Sequence, residues 1–341
     1  MSCDDCSGGC GSKPAFAPQE HASPRGIRQG VPPYKLFFTW DIQYACNYRC
    51  TYCIVFESGQ WDSVLKKKDR EPVSAQRWMD IWDGIFDKYG TAHVHVSGGE
   101  PFHYPNFVDI AAHMTRRHTL EADTNLSFNV NEFIGKVRPG SFRFSASFHP
   151  EFAELKPYLL KCRKLKEAGH DFPHATFVTW PPHLPMLGDV KKAFSDIGVT
   201  LNVITFRGRY KGKDYPDAFT EEERRLINEA AGNQIVTETY QNWYKGKDQG
   251  SENHSRQAVL CHAGQMYAKI HPNGDALRCC FIDERGKMGN LIDGTFELYD
   301  EPKICEYRNC SCWRSMIVGE EDRWLKFWVP ENSPARGGFG K

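Results

Sequence analysis

Cys46, Cys50 and Cys53 stand within eight residues at the spacing C-x3-C-x2-C. Thiolates are soft ligands suited to zinc or to iron–sulfur groups, and three of them are one short of either a closed zinc site or a fully ligated cluster. A four-iron cluster on this trio would keep one iron open to another ligand, whereas a zinc ion would need a distant fourth donor. The chain has thirteen cysteines in 341 residues, and they are grouped. Cys3, Cys6 and Cys10 lie near the start, Cys261, Cys279, Cys280, Cys305, Cys310 and Cys312 lie towards the end, and Cys162 stands alone. A chain of this length closes a core without cysteine staples, so the grouping has a chemical reason.

The trio needs an element to carry it. Leu36 to Ile42, LFFTWDI, predicts a buried strand that runs straight into Cys46. Ser74 predicts the N-cap of a helix bearing Trp78, Ile81, Trp82, Ile85 and Phe86 on one face and ending at Gly90. Strands follow at 93–97, 121–128, 141–148, 174–180 and 200–206, with helices at 105–118, 130–137, 152–168 and 189–196 between them. Six strands alternating with helices imply an α/β fold of parallel strands joined by right-handed crossovers, compatible with a partial barrel or an open sheet. Ligands then bind at the carboxyl ends of the strands, where CNYRCTYC, GGEP and HPEF follow strands one, two and four. A capping box of Thr220 and Glu223 opens a helix that closes this region at Gly232. The expected division is a mobile tail over 1–33, the barrel over 34–232, and a linker and cysteine-bearing extension over 233–341.

These marks resemble the radical S-adenosylmethionine superfamily. The resemblance rests on the cysteine spacing, Tyr52 just before Cys53, SGGEP at Ser97 to Pro101, DTNLS at Asp123 to Ser127 and SASFHPEF at Ser145 to Phe152. It implies a partial (β/α)6 barrel and a 4Fe-4S cluster on Cys46, Cys50 and Cys53. The open iron would chelate S-adenosylmethionine and cleave it reductively to a 5′-deoxyadenosyl radical that takes hydrogen from substrate. On this reading Gly98 and Gly99 let the backbone approach the methionine moiety and Glu100 accepts from its ammonium. Asn125 contacts the adenosyl or methionine part, Ser147 the ribose, and Tyr52 lies near the adenine. His149 is either a proton donor on the substrate side or a structural histidine, and Cys162 a buried, inert thiol.

The later cysteines follow a hairpin pattern. Met266 to Ile270 and Ala276 to Cys280 predict two strands around the turn His271 to Asp275, which brings Cys261 and Cys279 together. The segment resembles the opening of the SPASM and twitch extensions, which implies one auxiliary 4Fe-4S cluster. Cys261, Cys279, Cys310 and Cys312 are the preferred ligands, Cys305 an alternative to either of the last two, and a structural zinc site the competing reading.

Forty-three basic residues balance forty-three acidic ones, so no broad electrostatic footprint for nucleic acid is present. No apolar run approaches the ~18 residues of a membrane span, and the opening segment lacks a signal-peptide core, so a cytoplasmic enzyme is expected. The partners expected are a small-molecule or peptide substrate and an electron donor such as flavodoxin or ferredoxin. The competing class is an iron–sulfur protein for electron transfer or redox sensing without this cosubstrate, and Glu100 after two glycines favours the enzyme.

Overall fold

The computed structural model describes residues 36–53, 72–232, 260–279 and 284–305. Strands β1 (Leu36–Gln43), β2 (Ala92–Gly98), β3 (Thr119–Thr124), β4 (Phe142–Ser147), β5 (Asp171–Val178) and β6 (Thr200–Ile204) pair in sequence order, all parallel. Helices α1 (Ala75–Tyr89), α2 (Phe107–Met114), α3 (Val130–Lys136), α4 (Leu155–Glu167) and α5 (Leu187–Ser195) occupy the crossovers, and α6 (Glu221–Ala231) follows. Ser74 accepts from the Arg77 N–H at the start of α1, and Thr220 and Glu223 form the expected capping box on α6. The alternating α/β architecture is therefore the one the sequence predicts.

Alternation along the strands gives the sheet two unlike faces. Phe38, Trp40, Val94, Val96, Ala122, Phe144 and Ala146 are fully buried. Their face packs on the helices: Trp40 meets the edge of Trp78 at 4.7 Å and Trp82 at 5.3 Å, both on α1. The intervening residues, among them Asp41, His93, His95, Ser97, Glu121, Asp123, Arg143, Ser145 and Ser147, point to the other face. A parallel sheet covered equally on both faces would carry apolar residues throughout; the polar alternation marks a face reserved for something other than packing.

Several boundaries move for local reasons. β3 stops at Thr124 instead of reaching 128, because Leu126 turns to φ 55° and its N–H donates to Thr124 Oγ1 (3.0 Å), while the Ser127 N–H donates to Asn125 Oδ1 (2.9 Å). The α4 helix starts at 155 and not 152, since the N–H groups of Phe152 and Ala153 both turn back to the His149 carbonyl. β5 starts early, at Asp171, which is held by Arg143 at 2.7 Å.

The extension shares the main sheet. After a short antiparallel pair, β7 (Gly208–Tyr210) and β8 (Lys213–Tyr215), its strands are β9 (Leu260–Cys261), β10 (Tyr267–Ile270), β11 (Asp275–Leu277), β12 (Lys287–Asn290) and β13 (Lys303–Ile304). β10 pairs in parallel with β1, from Phe37↔Tyr267 to Trp40↔Ile270, and the predicted β10–β11 hairpin is antiparallel. A nine-stranded sheet results, in the order β12-β11-β10-β1-β2-β3-β4-β5-β6. No helix among the described residues is long and apolar enough to cross a membrane.

Candidate active site

The loop carrying Cys46, Cys50 and Cys53 leaves β1 and crosses the end of β2. Its stem is fixed by close backbone contact with Gly98 to Glu100. The Gly99 N–H donates to the Gln43 carbonyl (2.9 Å), the Glu100 N–H to the Ala45 carbonyl (3.0 Å), and Gln43 Nε2 to the Glu100 carbonyl (2.7 Å). A methyl group on either glycine would sit 2.0 Å from a stem carbonyl oxygen, that of Gln43 for Gly98 and that of Ala45 for Gly99. Gly98 also has φ 118°, which side chains other than glycine rarely adopt. The two glycines thus admit the close passage of the cysteine-loop stem.

Glu100 is likewise turned inward. Its carboxylate is 1% exposed and accepts from the Phe102 N–H (3.0 Å), Thr124 Oγ1 (2.8 Å) and the Asn125 N–H (2.6 Å). Burial pushes its pKa up to about 7 against these three donors. Its placement makes it a brace between the β2 and β3 ends. Asn125, set by that brace, directs Nδ2 to Asn47 Oδ1 (3.0 Å) and to Cys46 Sγ (3.8 Å). Asn125 is thus bonded to the cysteine loop through Asn47, a residue that the motifs did not single out.

A second set of contacts ties the loop to the segment after β4. The Thr51 N–H and hydroxyl donate to Glu151 (2.9 and 2.6 Å), Tyr48 stacks on Phe152 (4.9 Å), and Tyr52 Oη lies 3.0 Å from His149 Nδ1. Tyr52 is buried and also meets Trp180 and His183, each at 5.7 Å. Burial takes the His149 pKa down to about 4 and raises that of the Tyr52 hydroxyl, so both are neutral near pH 7. A neutral His149 bonded to Tyr52 is the structural reading of that residue. Ser147 ends β4 on the polar face, half-buried and in register with Thr176.

The thiols differ in environment. Burial raises the pKa of Cys46, and burial with nearby Glu151, Cys53 and Cys46 takes Cys50 up to about 12. Mutual repulsion of this kind is relieved by a bound cationic group, and three soft donors on one loop fit an iron–sulfur cluster. Among the described residues no three His, Cys, Asp or Glu side chains converge at single-ion spacing. Cys162 is fully buried with its pKa raised to about 12, in keeping with an inert thiol.

Below the loop, the polar face carries ion pairs that the motifs did not single out. His95 Nε2 lies 3.0 Å from Asp123 Oδ2, and His93 Nε2 lies 3.6 Å from Glu121 Oε2. Burial works against a charge on His95, but Asp123 and Glu121 outweigh it and lift its pKa to about 9; Glu121 falls to about 2 despite burial through His93 and His95. Asp41 is buried, accepts from Ser97 Oγ (2.6 Å) and from Tyr44 (3.0 Å), and is paired with Lys269. The two-residue polar period of β1 to β4 was the signal available for these positions.

In the extension, Cys261 joins Phe37, Ala263 and Tyr267 in a small buried cluster, against which both Cys279 and Cys305 pack. The Cys261–Cys279 association follows the hairpin expectation. Lys303 pairs with Cys261 across β13 and β9, which brings in Cys305 as well. Cys280, Cys310, Cys312 and the cysteines of the N-terminal tail lie outside the described residues.

Residues 40–197 match the family model described as the Radical SAM superfamily. The mycofactocin maturase MftC of Mycolicibacterium smegmatis is 24% identical over 278 residues, covering 76% of this chain and 68% of MftC. A GTP 3′,8-cyclase of Shewanella denitrificans is 30% identical over 88 residues, covering 25% of this chain and 24% of that protein. The solved structure of SuiB from Streptococcus suis superposes with a TM-score of 0.50 at 14% identity, over 76% of this chain and 64% of SuiB, a likeness of fold.

Proposed function

Since this chain belongs to the radical SAM superfamily and is an enzyme of that class, we propose that it abstracts hydrogen from a precursor peptide, with a 4Fe-4S cluster on Cys46, Cys50 and Cys53 and one auxiliary cluster in the extension. The observation that carries the reading is the three-thiol loop at the strand ends, locked to Gly98–Glu100 on one side and to the segment after β4 on the other. When bound, the cluster supplies the electron that cleaves S-adenosylmethionine to methionine and the 5′-deoxyadenosyl radical. The similarity to a maturase supports the peptide; a free small molecule is the other substrate class.

The protein's own part is position. Cys46, Cys50 and Cys53 would hold the cluster, and Asn125 with Asn47 orients Cys46. Tyr52, with Trp180 and His149 around it, offers a neutral aromatic wall for the adenine, and Ser147 a hydroxyl for the ribose. Glu100 acts through Asn125. Asp123 and Ser145, one strand repeat beneath Asn125 and Ser147, face the substrate side. In the extension, Cys261, Cys279 and Cys305 are three candidate ligands, with Cys310 or Cys312 the fourth. A flavodoxin or ferredoxin would deliver the electron, in keeping with a cytoplasmic enzyme.

The test is iron content and 5′-deoxyadenosine formation under anaerobic reduction. Replacing Cys46, Cys50 and Cys53 together with Ala removes about four irons and all cleavage of the cosubstrate. Cleavage that survives in the triple variant overturns the reading; two clusters with no cleavage in the native chain would establish the electron-transfer alternative.

A further inference from the structure

The stem of the cysteine loop is held from two sides, and only one of them involves Gly98–Glu100. Backbone groups of Gln43 and Ala45 take the bonds from that segment. The side chains of two other stem residues, Asp41 and Tyr44, reach towards β10 and the residue that follows it. There the Asp41 carboxylate is paired with Lys269, and Tyr44 Oη lies 2.6 Å from His271 Nδ1. Tyr44 also donates to Asp41 Oδ2 (3.0 Å), so the four side chains form one connected unit, completed by Ser97 from β2.

Each member is placed by backbone structure. The parallel pairing Thr39↔Lys269 sets Lys269 one repeat before Asp41, within reach of its long stem. His271 follows β10 immediately and is anchored by its N–H to the Asp275 carbonyl (2.9 Å) and by its carbonyl to the Gly274 N–H (2.9 Å). His271 is 8% exposed and Asp41 6%, so these contacts are shielded from water. An apolar contact would join β10 to β1 as firmly, whereas a hydrogen-bonded unit also fixes direction. That direction is given to Tyr44, two residues ahead of Cys46.

We propose that Lys269 and His271 are positioning residues for the radical centre: through Asp41 and Tyr44, the extension sets the stem of the cysteine loop and thereby the approach of S-adenosylmethionine to the open cluster site. This rests on the function proposed above. The extension is then needed for productive binding of the cosubstrate, in addition to any group its own cysteines hold.

The experiment uses the full chain, reconstituted with iron and sulfide under anaerobic conditions. Iron per chain, the dissociation constant for S-adenosylmethionine and the electron paramagnetic resonance change on its addition to the reduced protein are read for each variant. His271→Ala and Tyr44→Phe weaken S-adenosylmethionine binding by about tenfold and blunt the spectral change, with iron content unaltered. His271→Asn, which keeps an N–H near the Nδ1 position, restores most of both. Lys269→Met acts in the same direction, and Lys269→Arg recovers part of the loss. Should Lys269→Met fail to fold, the His271 pair decides. Wild-type affinity and spectra in His271→Ala and Tyr44→Phe overturn the proposal, as does equal loss in His271→Ala and His271→Asn. Failure of the underlying functional reading shows separately, in the native chain, which would take up no iron on Cys46, Cys50 and Cys53 and bind no S-adenosylmethionine.

Discussion

Glu151 accepts two hydrogen bonds from Thr51, one from its backbone N–H at 2.9 Å and one from its hydroxyl at 2.6 Å. Thr51 stands between Cys50 and Tyr52, and Glu151 follows β4, so one carboxylate joins the cysteine loop to a strand end 100 residues away in sequence. Glu151→Ala frees that side of the loop while leaving the sheet intact. The expected outcome is iron that is lost several-fold faster to a chelator, with the thermal transition of the chain nearly unmoved.

Gly98→Ala and Gly99→Ala each force a methyl group onto a carbonyl of the loop stem, and Gly98→Ala adds backbone strain at φ 118°. Strain of this kind costs roughly 1–3 kcal/mol before the clash is counted. Both variants should denature at lower denaturant concentration and reconstitute with less iron on Cys46, Cys50 and Cys53. Native stability in either would mean that the stem moves aside freely.

Glu100→Gln keeps the shape of the brace but puts an NH2 group where a carboxylate oxygen accepts, facing the Asn125 N–H or the Phe102 N–H and Thr124 hydroxyl. One or two buried donors lose their acceptor, which costs about 1–3 kcal/mol. Equilibrium unfolding should show that loss without any cosubstrate present. A variant of native stability that only binds S-adenosylmethionine less well would return Glu100 to direct contact with the ammonium.

His95 titrates near 9 in the folded chain against about 6.5 when unfolded, because Asp123 and Glu121 hold its charge. A raised histidine pKa adds stability that is complete below pH 6.5 and fades as the pH climbs through 9. The contribution is at most about 3 kcal/mol. Urea midpoints measured at pH 6.5 and pH 9 should therefore fall more for the native chain than for His95→Gln, and parallel shifts in the two would remove the ion pair from the account.

Cys305 packs against the same buried cluster as Cys261 and Cys279. Replacing Cys305 with Ala should lower iron content by part or all of one cluster and spare the cluster on Cys46, Cys50 and Cys53. Unchanged iron in Cys305→Ala, with loss in the Cys310→Ala and Cys312→Ala variants, would restore the ligand set that spacing alone favoured.

The alternation of strands and helices, the capping residues Ser74, Thr220 and Glu223, and the grouping of Cys46, Cys50 and Cys53 are local features, written in the periods and spacings of short segments. The sequence alone therefore determined the α/β class, the parallel order and the loop that carries the three thiols. What Gly98, Gly99 and Glu100 touch depends on which backbone crosses them, and that is decided by the packing of β1 beside β2. The ion pairs of His95 with Asp123 and of Lys269 with Asp41 join residues 28 and 228 positions apart, beyond any helical or strand period. The continuity of β10 with β1 likewise arises only when an exposed sheet edge finds a strand of matching register, because hydrogen bonding between strands is blind to how far apart they lie along the chain.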